Sequence, residues 1–210
     1  MTDPDLVERI LELERTVEEL NTRPMLFTAY EDLRTPALAT KFGGLSDPDW
    51  VQFQDDGAAS TGIYLYAFSD TVEEELFFVV QMPHGYIEGT DIDPHIHWVP
   101  DGNGVAGRVV CWGLEYGWRN IGADFGNTTI ISSITHFPAD AALVDNRHYR
   151  TNLPDIAGAG QTISSMLVCR LFRDATAALR ADDYAHDTFL LEFDFHFKVN
   201  SLGSRDHDTK

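Results

Sequence analysis

Apolar positions recur with two different periods along this chain. Near the N-terminus Leu6, Ile10, Leu13, Val17 and Leu20 are spaced four, three, four and three residues apart, the seam of a heptad repeat. Asp3 suits an N-cap, Pro4 suits the first helical position, and Pro24 stops the run. The spacing predicts a helix over residues 3–22. Its other faces carry Glu8, Arg9, Glu12, Glu14, Arg15, Glu18 and Glu19, so the apolar stripe is narrow. A narrow stripe between charged faces favours a short coiled coil over a helix lying on its own domain. With fewer than three heptads it is marginal alone in water, and the number of strands in the coil stays open. The five seam residues are the expected oligomerisation contacts.

From Trp50 onward the period is two, the signature of strands. Expected strands are Trp50–Phe53, Ile63–Phe68, Leu76–Met82, Asp91–Val99, Arg108–Asn120, Thr128–Thr135, a shorter one near Tyr149–Leu153, and Ile163–Arg173. A final strand follows Ile163–Arg173 and is the clearest. Phe189, Leu191, Phe193, Phe195, Phe197 and Val199 point one way, and Glu192, Asp194, His196 and Lys198 the other. Between it and its predecessor, Asp174–Asp187 has room for a single helical turn. The stretch from Gly89 to Gly122 reads as strand, turn, strand, because Asp101-Gly-Asn-Gly104 tolerates positive φ. Its return strand aligns Val110, Trp112, Leu114, Tyr116 and Trp118 on one face, an aromatic load that needs a second layer over it. Trp98, Trp112, Leu114, Tyr116, Trp118, Phe193, Phe195 and Phe197 are therefore the expected core. The expected fold is mainly β, an antiparallel sandwich of jelly-roll type with an N-terminal helix. It divides into a helical segment (1–22), an extended arm (23–49), the sandwich (50–203) and a tail (204–210). The arm's Met25, Leu26, Phe27, Tyr30, Leu33 and Phe42 need burial, on a neighbouring subunit or on the chain's own domain.

Charge changes the picture of partners. The net charge is −19, and the only lysines are Lys41, Lys198 and Lys210. Such a field argues against nucleic acid. The acidic MTDPDLVERI opening is unlike a signal peptide, and no apolar run is long enough to cross a bilayer. No membrane partner is expected. Cys111 and Cys169 sit in apolar runs and read as buried thiols of a cytosol-made protein.

Candidate chemistry is sparse. Gly102-Asn-Gly-Val-Ala-Gly107 matches a dinucleotide glycine pattern, but a strand follows it rather than a helix. No lysine lies between Lys41 and Lys198 to pair a phosphate. His95 and His97 share one strand face, with Ile96 and Trp98 on the other. An HxH pair on a strand can chelate a divalent ion. Gly89, five residues, then His95-Ile-His97 resembles the first motif of the cupins, which supplies two histidines and a glutamate to a metal. In that resemblance Asp101 stands in the place of the glutamate. The second cupin motif is missing; His136, His148 and His196 are candidate further ligands, but none has its Gly/Pro spacing. No cofactor is expected, with a divalent metal at His95, His97 and Asp101 as the alternative to a structural role for the histidines. No catalytic residues are assigned.

Three segments carry a broader resemblance: VVQMPHGYIEGTDIDPHIHWVPDGNG, VCWGLEYGWRNIGADF and FLLEFDFHFKVNSLGSRDHDTK. They resemble a family of virion-associated proteins of tailed bacteriophages and prophages. The resemblance implies a non-enzymatic structural protein of the particle, a homotrimer made in the host bacterial cytoplasm. Other virion proteins of head or tail would be its partners. A cupin-like metal protein or small-molecule enzyme is one alternative. A glycan-binding module is another, with Tyr86 or Tyr149 as its exposed aromatic platform.

Overall fold

The computed structural model describes residues 4–22, 28–136 and 142–203. Helix α1 (Pro4–Thr22) is followed by strands β1 (Ala29–Pro36), β2 (Asp49–Gln54), β3 (Ile63–Phe68), β4 (Glu74–Gln81) and β5 (Asp93–Pro100). Then come β6 (Val109–Arg119), β7 (Thr129–His136), β8 (Tyr149–Asn152), β9 (Met166–Arg173) and β10 (Thr188–Val199). Two antiparallel sheets face each other. One, sheet A, has the order β2-β3-β10-β5-β8, with β1 also on β10; the other, sheet B, has the order β4-β9-β6-β7. The expected sandwich with one N-terminal helix is what the chain forms.

The aromatic faces read from the sequence meet in the middle. Phe68 and Trp98 of sheet A contact Trp112 of sheet B, with ring centroids 5.0 and 6.5 Å apart. Trp98, Trp112, Leu114, Trp118, Phe193, Phe195 and Phe197 are all buried, while Tyr116 is only half-buried against the core. Burying each such side chain contributes on the order of 1.5–3 kcal/mol. Two of the indoles are also anchored by hydrogen bonds. Trp98 Nε1 donates to Thr151 Oγ1 at 2.9 Å and Trp118 Nε1 to Ser165 Oγ at 2.8 Å. The outer face of sheet B is closed locally by Phe172, which lies over Gly113. A Cβ there would come within 2.2 Å of the ring, so this strand position requires glycine.

Three sequence expectations are corrected. First, Asp91–Val99 and Arg108–Asn120 are not the two arms of a hairpin. β5 lies between β10 and β8 in sheet A, and β6 between β9 and β7 in sheet B. The Asp101–Gly104 turn begins a connection between layers, which stand about 10 Å apart in a sandwich. Both strands bury a tryptophan on their inner faces, so they face each other across the core. Second, β10 does not keep one phase throughout. A bulge between Leu190 and Glu192 inverts the alternation. Leu190 and Phe193 point inward, whereas Phe189 joins Ala67 and Val99 in a small cluster on the outer face. Third, the 174–187 segment contains turns and no helix. Arg173 occupies its centre, donating to both carboxylate oxygens of Asp182 at 2.9 and 3.0 Å and to the carbonyls of Phe68, Tyr184 and His186. The arm, for which burial on a neighbouring subunit or on the chain's own domain is open in the sequence, adds a strand to its own sheet: β1 pairs with β10 from Ala29↔Val199 to Pro36↔Glu192. Leu33 packs on the core, Tyr30 and Phe42 stay exposed, and Met25, Leu26 and Phe27 lie outside the described residues.

Helix α1 shows its seam. Leu6, Ile10 and Leu13 are 57%, 47% and 64% exposed in the single chain. The side chains of Val17 and Leu20 lie outside the described residues. The helix is present; a coiled coil is a property of several chains and is taken up below.

Candidate functional site

Register brings the histidines together. On β5 the inward side chains are Ile96 and Trp98, so His95 and His97 project from the outer face of sheet A. β10 runs beside them with Asp194 opposite His95, Glu192 opposite His97 and His196 opposite Asp93. On the far side of β10, β1 sets Asp32 opposite His196. Beyond β5, the residue before β8 contributes His148.

His95 Nε2 lies 2.8 Å from Asp194 Oδ1, and His97 Nε2 lies 3.7 Å from the same oxygen. His97 Nδ1 is 2.7 Å from His148 Nε2. The His95 and His196 ring centroids are 4.1 Å apart, and His196 Nε2 reaches Asp32 Oδ1 at 2.7 Å. Although the patch is on an outer face, His95 is only 2% exposed and Asp194 only 5%. Burial pushes the His97 imidazole below the ordinary histidine value, and Asp194 opposes that shift only in part. A neutral imidazole keeps a lone pair available as a ligand.

Three groups of side chains in this patch place one ligand atom each within 4.8 Å of the others. They are Asp93, His95 and His196; His95, His97 and Asp194; and Asp32, Asp194 and His196. An open groove of about 580 Å³ beside them, lined by Tyr30, Asp91, Asp93, Asp155, His196 and Lys198, gives solvent access.

Asp101 takes no part. It lies at the end of β5, where its N–H donates to the Asp187 carbonyl. The four-residue offset from His97 carries it out of the patch because the chain leaves the sheet after Pro100. The carboxylate that meets His95 and His97 is Asp194, on a neighbouring strand. Its sequence signal was its place on the polar face of β10 with Glu192 and His196. The side chain of His136 lies outside the described residues.

The expected aromatic platform is also elsewhere. Tyr86 is fully buried, its hydroxyl donating to the Thr90 carbonyl. Tyr149 packs on Trp98 with centroids 5.4 Å apart. Exposed rings gather instead at the β2–β3 edge. Trp50, 47% exposed, lies nearly parallel to Tyr64, with centroids 6.1 Å apart at 21°. Tyr66 closes edge-on against Trp50 at 4.9 Å. Cys111 and Cys169 are free and buried, and burial pushes the Cys111 thiol up to about 12. Neither is set up as a nucleophile.

No family model matches the chain, and no curated protein matches it. Among solved structures it is similar to a cycloisomaltooligosaccharide glucanotransferase of Paenibacillus sp. complexed with cycloisomaltoheptaose, at 10% identity and a TM-score of 0.42. That likeness covers 76% of this chain and 17% of the other, so the chain spans a small part of that protein's length. It is also similar to TmCBM61 in complex with beta-1,4-galactotriose, at 12% identity, 87% and 94% coverage, and a TM-score of 0.32. A further similarity is to Caldicellulosiruptor saccharolyticus CBM27-1 in complex with mannohexaose, at 9% identity, 83% and 99% coverage, and a TM-score of 0.32. At such scores no ligand or activity carries over from those proteins to this chain.

Proposed function

We propose that the protein is a non-enzymatic, oligomeric structural component of a tailed-bacteriophage particle, a decoration- or fibre-type protein of head or tail. The observation that carries the reading is the exposed seam of α1. Leu6, Ile10 and Leu13 at heptad spacing stay open to solvent beside a folded β body, and copies of the same helix are the surface that matches such a seam. The strand order is compatible with it. From β3 to β10 the sheets read β3-β10-β5-β8 and β4-β9-β6-β7, the winding of an eight-stranded jelly roll, an architecture shared by viral capsid, lectin and cupin domains. Three copies are proposed on the strength of the virion-protein resemblance. Light scattering tests the assembly: a trimeric mass is expected, and a monomeric mass at micromolar concentration would refute it. Deleting residues 1–22 should weaken the oligomer and leave the β fold intact. Finding the protein by mass spectrometry in purified particles tests the location.

A second reading, a glycan-binding module, is favoured by the Trp50–Tyr64 pair. An exposed indole stacked on a second ring is a surface on which the C–H face of a sugar can rest. If this reading holds, Trp50→Ala abolishes oligosaccharide binding in calorimetry without changing the oligomer; absence of any saturable glycan binding removes it.

A further inference from the structure

The contact between His95 and Asp194 is close but misaligned. Their atoms are 2.8 Å apart, yet neither Asp194 Oδ1 nor His95 Nδ1 has a hydrogen-bond partner among the described residues, and both atoms are buried. An unpaired buried polar atom costs about 1–3 kcal/mol, so a patch placing several such groups together needs a reason. For Asp194 Oδ1 a ligand set supplies one, while His95 Nδ1, on the other edge of its ring, lies outside that set. Imidazole nitrogens that share a cation point at the cation, not at the neighbouring ligand, so they stand close to a carboxylate oxygen without donating to it.

We propose that His95, His97 and Asp194 bind one divalent transition-metal ion through the two Nε2 atoms and Asp194 Oδ1. The spacing fits. With bonds of about 2.0–2.2 Å in a tetrahedral site, ligand atoms stand roughly 3.4 Å apart. The distances of 2.8 and 3.7 Å to the shared oxygen bracket that value, and the three residues can each place one ligand atom within 4.8 Å of the others. All three residues sit on adjacent, paired strands in the middle of sheet A, which holds them without a loop. His148 plays the supporting part. Its Nε2 lies 2.7 Å from His97 Nδ1; in the proposed site His97 Nδ1 carries the proton and donates to it, which leaves His97 Nε2 free to coordinate. Two imidazoles and one carboxylate suit Zn²⁺, Fe²⁺, Mn²⁺ or Co²⁺, and a fourth position stays open to water or to a group from another molecule. Asp32 and Asp93 add negative potential around the ion. The competing group of Asp93, His95 and His196 is weaker. His196 already engages Asp32 at 2.7 Å, and Asp93 Oδ2 is 4.0 Å from its other nitrogen.

The test uses the whole protein without a histidine tag, stripped by chelator and titrated with Zn²⁺ in a calorimeter. Saturation at one ion per chain is expected. His97→Ala and Asp194→Asn should each weaken binding by about tenfold or more, with circular dichroism confirming the fold. Asp101→Ala and His196→Ala should bind as the wild type. Co²⁺ substitution gives a second readout, the visible bands of a four-coordinate ion, lost in His97→Ala. Because His97 is partly exposed, that variant carries the test even if Asp194→Asn fails to fold. The proposal is overturned by a folded wild type that shows no saturable Zn²⁺ binding. It is equally overturned by binding that survives in His97→Ala, or by binding that depends on His196 rather than His97.

Discussion

Replacing Arg173 by methionine should remove a large part of the stability of the fold. The side chain has no exposure, and its partner Asp182 is 1% exposed. All its N–H groups are directed at fixed acceptors: two carboxylate oxygens of Asp182 and the carbonyls of Phe68, Tyr184 and His186. These acceptors come from the end of β3 and from the 182–186 segment, so one guanidinium ties the long connection before β10 onto both sheets. Methionine fills similar volume but donates nothing. Among the described residues Asp182 then keeps the Cys111 N–H, at 2.9 Å, and remains a buried charge. Breaking such a pair from one side costs about 3–5 kcal/mol, against a total stability of about 5–15 kcal/mol for a domain. With a urea slope of about 1–3 kcal/mol/M, the unfolding midpoint should fall by about 2 M. Tryptophan fluorescence during urea unfolding reads this directly. The double variant Arg173→Met, Asp182→Leu should be more stable than the sum of the two single losses implies, because it removes the stranded charge. A single-variant loss below about 1 kcal/mol, or strict additivity, would refute the assignment of this network as a tie between the layers.

Trp112→Ala should cost about 3–5 kcal/mol, since the indole is fully buried between Phe68 and Trp98; a loss under about 1 kcal/mol in urea unfolding would place it at a surface. Burial holds Glu74 above the usual carboxylate range, with the Ser69 N–H opposing. The folded state therefore binds that proton more tightly, and the cost of ionising Glu74 is absent below the unfolded value of about 4.3 and grows as pH rises through the folded one. The melting temperature of Glu74→Gln relative to wild type should accordingly rise between about pH 4 and pH 7, and a flat difference would contradict this. Cys111 and Cys169 should not react with an aromatic disulfide reagent in the native protein and should react fully in denaturant; rapid native labelling would show that the core opens.

Side-chain alternation was legible in the sequence because it is local. Trp112, Leu114 and Trp118 face inward as their spacing requires, and His95 and His97 share a face for the same reason. Pairing was not legible. Asp101-Gly-Asn-Gly104 has hairpin chemistry, but whether a strand returns beside its predecessor or crosses to the other layer depends on which surfaces compete for it. The phase of β10 was read through a bulge that no residue announces. The His95–Asp194 contact is set by cross-strand register, which local spacing does not carry, whereas Asp101 is near only along the chain. The heptad was legible, yet what it binds is decided between molecules.

The position of β10 has a consequence for the order in which the molecule can form. It touches β1 and β3 along one side and β5 along the other, yet it is the last of the ten strands to leave the ribosome. Until then sheet A exists only as separate flanks, and pairings such as Ala29↔Val199 must close nearly the whole chain into a loop, a slow step for contacts so far apart. Helix α1, by contrast, lies ahead of the described strands and is built from local contacts alone, marginal in water until something packs on its seam.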